Sequence, residues 1–350
     1  KYMNEIVLNF IYFKILMIKN QNHISSLNLF RGIAGYGVAI CHFYYYLLHK
    51  DEFQFYSIFF VEFFFVLSGF VLYPQLIKVY KNRRQLKIFY YRRWFRTLPV
   101  YILALLCYSF LFSKFDGDTI KFLFFVQKIT SNFINFDYFS VAWSLSIEEF
   151  FYLLFPLFLI FLNNKNFLHI LLIFIGIIYF IKILYLLNNF DQEFYRVGTL
   201  LRLDAIALGI LTRIYLNKID NFFYNILCLF SASLIILFFY ENINNLIRIE
   251  LFIFILLIQL ISINSILIFI NINFLIKNKF LINLFSLFSN QTYSIYLFHF
   301  LIIYIFSNYL QIIGNNFLIF YYVGSLFILS TVCFYLFEKP ILEKRPSYED

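Results

Sequence analysis

Long apolar runs separated by short polar breaks dominate this chain, and their lengths are the first indication of its architecture. A helix that crosses a membrane needs roughly 20 mainly apolar residues. Runs of this kind, read between charged or Asn-rich breaks, fall at 28–48, 56–77, 98–113, 143–162 and 168–187. Five more follow at 199–216, 222–240, 248–270, 290–310 and 317–337. The pattern predicts an all-α fold, a polytopic membrane bundle of about ten transmembrane helices. The apolar stretch 4–18 is interrupted by Lys14 and marginal for a crossing, so residues 1–23 read as an amphipathic or partial membrane anchor. Residues 24–345 then form the transmembrane domain and 346–350 a cytoplasmic tail. The break at 114–142 is the longest between runs and has room for a short interfacial helix but no further domain.

Composition excludes the main alternatives. Hydrophobic residues make up 62% of the 350 positions and charged residues 13%, against about 45–50% and about 25% in ordinary soluble domains. Too few polar side chains exist to cover a water-exposed surface, and an open nucleic-acid-binding face is excluded with it. Lys and Arg number 28 against 19 acids, a net charge of +9. Eight of the bases lie between Lys78 and Arg96 with no acid among them. Short cytoplasmic loops concentrate Lys and Arg, which predicts that this segment faces the cytoplasm. Lys165, the Arg213–Lys218 turn, Lys277 with Lys279, and Lys339, Lys344 and Arg345 fall on the same side. Asp116, Asp118, Asp137, Asp191 and Glu193 fall on the other. Cys41, Cys107, Cys228 and Cys333 lie in apolar stretches without metal or redox spacing, so no metal site is expected. No phosphate-binding or dinucleotide fingerprint supports an ATP-driven pump.

Several polar residues need an explanation inside these runs. Arg31 and His42 stand eleven positions apart, on nearly the same helix face and about 16 Å apart along the axis. A histidine in a bilayer is costly unless it is paired or used, and its titration range suits a general base. Ser68 and Gly69 are small residues suited to close helix packing. Arg93 and Arg96, at i,i+3 spacing on an amphipathic helix ending before Pro99, present two guanidinium forks to phosphates or to anionic lipid. Glu148 and Glu149 read as first-turn acids of an apolar helix that Ser144 or Ser146 would cap. Arg202 and Asp204 lie near an outer boundary, and His299 lies inside the ninth run. A secondary transporter or saccharide flippase, with these groups forming a proton path, is the alternative to an enzyme.

Together these segments resemble the bacterial acyltransferase-3 family, membrane enzymes that O-acylate surface carbohydrates. Arg31 through His42 matches its Arg-to-His element, "FFVLSG" ending at Gly69 its second-span signature, and "RRWFR" its basic element. "WSLSIEEFFYLLFP", with Trp143 and Glu148, "RLDAIALGIL", "YSIYLFHF" and "FEKP" resemble further family segments. Phe150 stands where relatives often carry a polar residue. The resemblance implies a multi-pass protein of the bacterial inner (cytoplasmic) membrane. It implies acyl-CoA, most simply acetyl-CoA, as co-substrate with no tightly bound cofactor. The acceptor would be a carbohydrate hydroxyl, free or lipid-linked, as in lipopolysaccharide or exopolysaccharide, with membrane lipids and envelope biosynthesis proteins as partners and no nucleic acid. On this reading His42 and Glu148 are catalytic, and Arg31, Arg93 and Arg96 bind the donor. Asp204, Arg202, His299 and Trp143 position the acceptor or hold the structure, and Ser68 and Gly69 pack.

Overall fold

The computed structural model describes residues 24–162, 165–188, 191–219, 221–240, 246–310 and 318–348. The anchor expected over 1–23 lies outside them, as do the last two residues of the expected tail. In chain order the helices are α1 (Ser25–Leu48), α2 (Glu52–Lys81), α3 (Gln85–Leu111), α4 (Gly117–Leu123), α5 (Ala142–Phe161), α6 (Phe167–Leu187) and α7 (Gln192–Val197). They continue as α8 (Leu203–Ile219), α9 (Phe222–Leu237), α10 (Arg248–Asn271), α11 (Lys279–Ile305), α12 (Leu318–Cys333) and α13 (Lys339–Glu343). A π-helical turn, Phe334–Glu338, joins the last two.

The number of spans is corrected downward. Among the described residues, six helical stretches are long and apolar enough to cross a membrane, not about ten: α2, α3, α5, α6, Arg248–Leu275 and Leu318–Glu343. The other four apolar runs do fold as helices. Two of them, α8 and α9, have only 17 and 16 residues. At 1.5 Å per residue they reach roughly 24–26 Å, short of a hydrocarbon layer of about 30 Å. The other two, α1 and α11, are long enough at 24 and 27 residues but are too polar. α1 opens with Ser25, Ser26, Asn28 and Arg31, and α11 carries Asn283, Ser286, Ser289, Asn290, Gln291 and Thr292 in its first half. These two helices pack on each other in the interior, where Tyr36 donates to Gln291 and Arg31 to Ser289.

A second difference concerns α3. The basic segment and the third run form one helix through Pro99 rather than two. Proline deletes a backbone donor, but membrane helices tolerate it where neighbours satisfy nearby carbonyls. Beside the proline, α11 packs on α3 and the Tyr293 hydroxyl donates to the Thr97 carbonyl at 2.8 Å.

The tightest seam joins α2 to α8. A Cβ on Gly69 would lie 1.8 Å from the Ile206 carbonyl oxygen, and one on Gly209 2.0 Å from that of Val66. The backbones touch only because both positions lack side chains. On the lipid side, α6 and α9 expose Phe180, Leu187, Phe223, Phe230 and Leu237.

The 114–142 segment is ordered around one buried carboxylate. Asp116 and Thr119 form a capping box that starts α4. Asp118 accepts from Lys121 at 2.9 Å and from the Asn135 and Phe136 amides at 2.9 and 3.2 Å. Burial would raise its pKa, but the Lys121 ammonium and the two amides outweigh that and hold it below the usual carboxylate value. Its stabilising contribution is therefore present at neutral pH and is lost as pH falls through the lowered value. Hydrogen exchange at the Asn135 and Phe136 amides should speed up at acid pH, and Asp118→Asn should give the fast rate already at pH 7. Equal rates in both proteins at pH 7 would disprove the anchoring role.

Candidate active site

Two chambers lie along α1. One has a volume of about 290 Å³, and Arg31 from α1, Arg93 and Arg96 from α3 and Arg345 from the segment after α13 line it. Ser68, Glu148, Tyr152 and Glu338 contribute to the same wall. The other is about 150 Å³ and is lined by His42, Trp143 and Arg202 together with Glu62, Lys128, Asp137, Glu193 and Arg196. Val61 and Tyr296 line both and form the shared partition.

In the arginine chamber, Glu148 is held by two hydroxyl donors, Ser68 at 2.6 Å and Tyr152 at 3.0 Å. Arg93 is buried, donates to Gln75, and stacks with its guanidinium carbon 5.2 Å from the Tyr152 ring centroid. Arg31 donates to Ser289 at 3.3 Å. The four guanidiniums outnumber the two carboxylates, Glu148 and Glu338, that share their walls. At the mouth, burial and then the neighbouring Arg92, Arg96 and Arg93 pull the Arg345 pKa below the ordinary arginine value. Cations crowded in this way favour a polyanionic ligand.

α5 begins at Ala142 with no side-chain cap, one turn earlier than the sequence suggested. Ser144 instead meets the Tyr296 hydroxyl at 2.6 Å, and Ser146 donates to the Ala142 carbonyl. The helix start then places Glu148 in the second turn, facing the chamber, while Glu149 is buried and absent from that wall.

The histidine chamber contains a directed proton arrangement. His299 Nδ1 lies 2.7 Å from the Tyr296 carbonyl and 3.2 Å from that of Ile295. Carbonyls only accept, so this nitrogen carries the proton, and in a neutral ring Nε2 is then an acceptor. Nε2 lies 2.8 Å from His42 Nδ1. His42 must therefore donate from Nδ1, and its own Nε2 keeps the lone pair. Phe300 stacks on the His42 ring at 4.7 Å and restricts its rotation.

The candidate residues from the sequence thus divide. Arg31, Arg93, Arg96, Ser68 and Glu148 share one chamber; His42, Trp143 and Arg202 share the other. His42 and Glu148 are not hydrogen-bond partners: the first pairs with His299, the second with Ser68 and Tyr152. Arg202 pairs with buried Glu62 and donates to the Arg196 carbonyl. Asp204 lines neither chamber and is held by Lys182 at 2.5 Å and Gln259 at 2.9 Å. Gly69 lies at the α2–α8 seam. Sequence reasoning missed Lys182, Glu338 and Arg345. Lys182 did carry a signal, being the one charge in the apolar run of α6. Among the described residues, no three His, Cys, Asp or Glu side chains are grouped to hold a metal ion.

These features define a multi-pass membrane bundle with a cationic pocket on one side of a partition and, on the other, a histidine pair of which His42 lines the chamber and His299 is buried. Residues 24–339 match the acyltransferase-3 family model, described as an acyltransferase domain, and the chain belongs to that family. It is 35% identical over 119 residues to the peptidoglycan O-acetyltransferase OatA of Listeria monocytogenes, a match covering 29% of this chain and 19% of that protein. It is 33% identical over 124 residues to the O-acetyltransferase OatA of Staphylococcus aureus, covering 30% and 20%. A putative O-acetyltransferase of Staphylococcus aureus is 31% identical over 217 residues, 55% of this chain and 35% of that protein. The chain thus spans between about a fifth and about a third of the relatives it matches. No solved structure matches it.

Proposed function

We propose that the protein transfers an acyl group, most simply acetyl, from acyl-CoA to a hydroxyl of a cell-surface or lipid-linked carbohydrate. The observation that carries this reading is the juxtaposition of an arginine-lined chamber and a histidine chamber across Val61 and Tyr296. Arg31, Arg93, Arg96 and their neighbours hold the donor phosphates, and the pantetheine arm points the thioester toward the partition. The acceptor enters the other chamber beside Trp143 and Arg202. His42 Nε2 takes the hydroxyl proton as the oxygen attacks the thioester carbonyl. His299 fixes the His42 tautomer, and its carbonyl partners hold it in turn. Collapse of the tetrahedral adduct breaks the C–S bond, and protonated His42 returns its proton to the leaving thiolate. Glu148 balances the cationic chamber and orients Ser68 and Tyr152. On this reading the protein resides in the bacterial inner membrane with the basic chamber toward the cytoplasm, in accord with the charge bias of its loops.

The test is transfer of isotopically labelled acetyl from acetyl-CoA to envelope glycans by the purified, lipid-reconstituted protein. Label found on no glycan hydroxyl while the glycan itself crosses the membrane would replace this reading with that of a flippase. Donor binding has its own prediction. Arg96→Ala should weaken CoA binding about tenfold, the scale of one charge-assisted contact, and Arg93→Ala with Arg96→Ala more than either alone. Calorimetry on correctly inserted protein measures this, and unchanged affinity in the double variant would remove both residues from the donor site.

A further inference from the structure

The segment following α13 brings Arg345 to the wall of the arginine chamber and is fastened there to α2 and α3. Arg92 donates to the Pro346 carbonyl. The Tyr348 ring is clasped between Lys78 and Arg92, each 4.9 Å from its centroid, a geometry in which two cations share the negative faces of one ring. The Tyr348 hydroxyl donates at 3.3 Å to Gln75 Oε1, the same atom that accepts from Arg93. Two fastenings on α2 and α3 thus hold residues 344–348 in place, and between α13 and these fastenings stands Arg345. Its guanidinium lines the chamber with Arg93 and Arg96, and no hydrogen bond or ion pair to it occurs among the described residues. Arg345 is exposed, and with three neighbouring guanidiniums beside it its charge favours an anionic ligand arriving from solvent.

We infer that Arg345 is a further donor-binding residue, contacting the phosphates of the nucleotide end of acyl-CoA, and that Tyr348 is the positioning residue that delivers it. The inference rests on the acyl-CoA reading above and adds a specific division of labour. The strap grips the phosphorylated nucleotide at the mouth, while Arg31 and Glu148 lie deeper along the wall. A truncated donor that lacks the nucleotide, acetyl-pantetheine, has nothing for Arg345 to hold.

The experiment compares the unaltered protein with Arg345→Ala, Tyr348→Ala and Tyr348→Phe in nanodiscs of zwitterionic lipid and of lipid containing phosphatidylglycerol. Arg345→Ala should raise the CoA dissociation constant and the KM for acetyl-CoA roughly tenfold, leaving kcat and the KM for acetyl-pantetheine unchanged. Tyr348→Ala should act in the same direction on the same parameter. Tyr348→Phe, which keeps the ring between its cations and loses only the Gln75 contact, should retain most of the affinity. Equal CoA affinity in Arg345→Ala overturns the assignment, as does an equal rise for acetyl-pantetheine, which marks general damage to the chamber. A loss seen only in phosphatidylglycerol would assign the contact to a lipid phosphate and overturn it as well. Failure of the unaltered protein to bind CoA would remove the donor reading itself, whereas binding that Arg345→Ala leaves intact removes this inference alone.

Discussion

His42→Ala should insert normally, bind CoA with unchanged affinity and lose acyl transfer by about 10²–10⁴-fold, the usual contribution of a positioned general base. The separation of effects follows from the geometry. His42 lines the chamber away from the four arginines, so its loss leaves the donor pocket intact. Its Nδ1–H is committed to His299, whose own Nδ1 is committed to backbone carbonyls, so only Nε2 of His42 can accept a proton. His42→Gln keeps a hydrogen-bonding side chain near the same place but cannot accept and release a proton near neutral pH, and should fail nearly as completely. His299→Ala removes the group that fixes the tautomer without touching the reacting atoms. It should lower kcat less than His42→Ala and change the pH profile of kcat. Turnover at saturating acetyl-CoA, with insertion and CoA binding checked separately, decides the matter. Near-normal transfer by His42→Ala would leave the histidine pair a structural contact between α1 and α11.

What the sequence could and could not convey follows from the range of the interactions involved. Helix limits are local: the runs read at 143–162, 168–187 and 248–270 appear as Ala142–Phe161, Phe167–Leu187 and Arg248–Asn271. Whether an apolar helix also meets the length and apolarity of a span depends on small differences. α8 and α9 are a few residues short, and α1 and α11 carry polar faces that their mutual packing satisfies. Partnership is less legible still. Periodicity places Arg31 and His42 on one face of α1, but nothing local says that the residue opposite His42 comes from α11 rather than α5. Glu148 was the natural partner on chemical grounds, yet α2 and α5 meet so that Ser68 reaches it first. Glu62 pairs with Arg202, 140 positions away, and no local pattern announces that partner. Gly69 was identifiable as a packing residue, but only the fold reveals that Gly209 is its counterpart across the seam.

The buried pair Lys182–Asp204 should carry the largest effect on stability. Both side chains are almost wholly excluded from solvent, at 1% and 0% exposure, and Gln259 is the second donor to the same carboxylate oxygen. Asp204→Ala strands an ammonium in an apolar interior and leaves Gln259 without its acceptor. Breaking one side of such a pair costs about 3–5 kcal/mol, whereas replacing both charges by apolar groups of similar size is often near neutral. Lys182→Met should therefore also be strongly destabilising, and Lys182→Met combined with Asp204→Leu should recover most of what either single change loses. This non-additivity separates a structural pair from an acceptor contact, the other role open to Asp204. A structural pair predicts that the double variant keeps both its CoA affinity and its KM for the glycan acceptor. A positioning role predicts a folded double variant with a raised acceptor KM. Thermal unfolding in detergent, followed by CoA binding to verify the fold, measures the first quantity, and the transfer assay measures the second. Single variants that melt at the unaltered midpoint would show that water or lipid headgroups reach the pair and that its apparent burial does not govern its energetics.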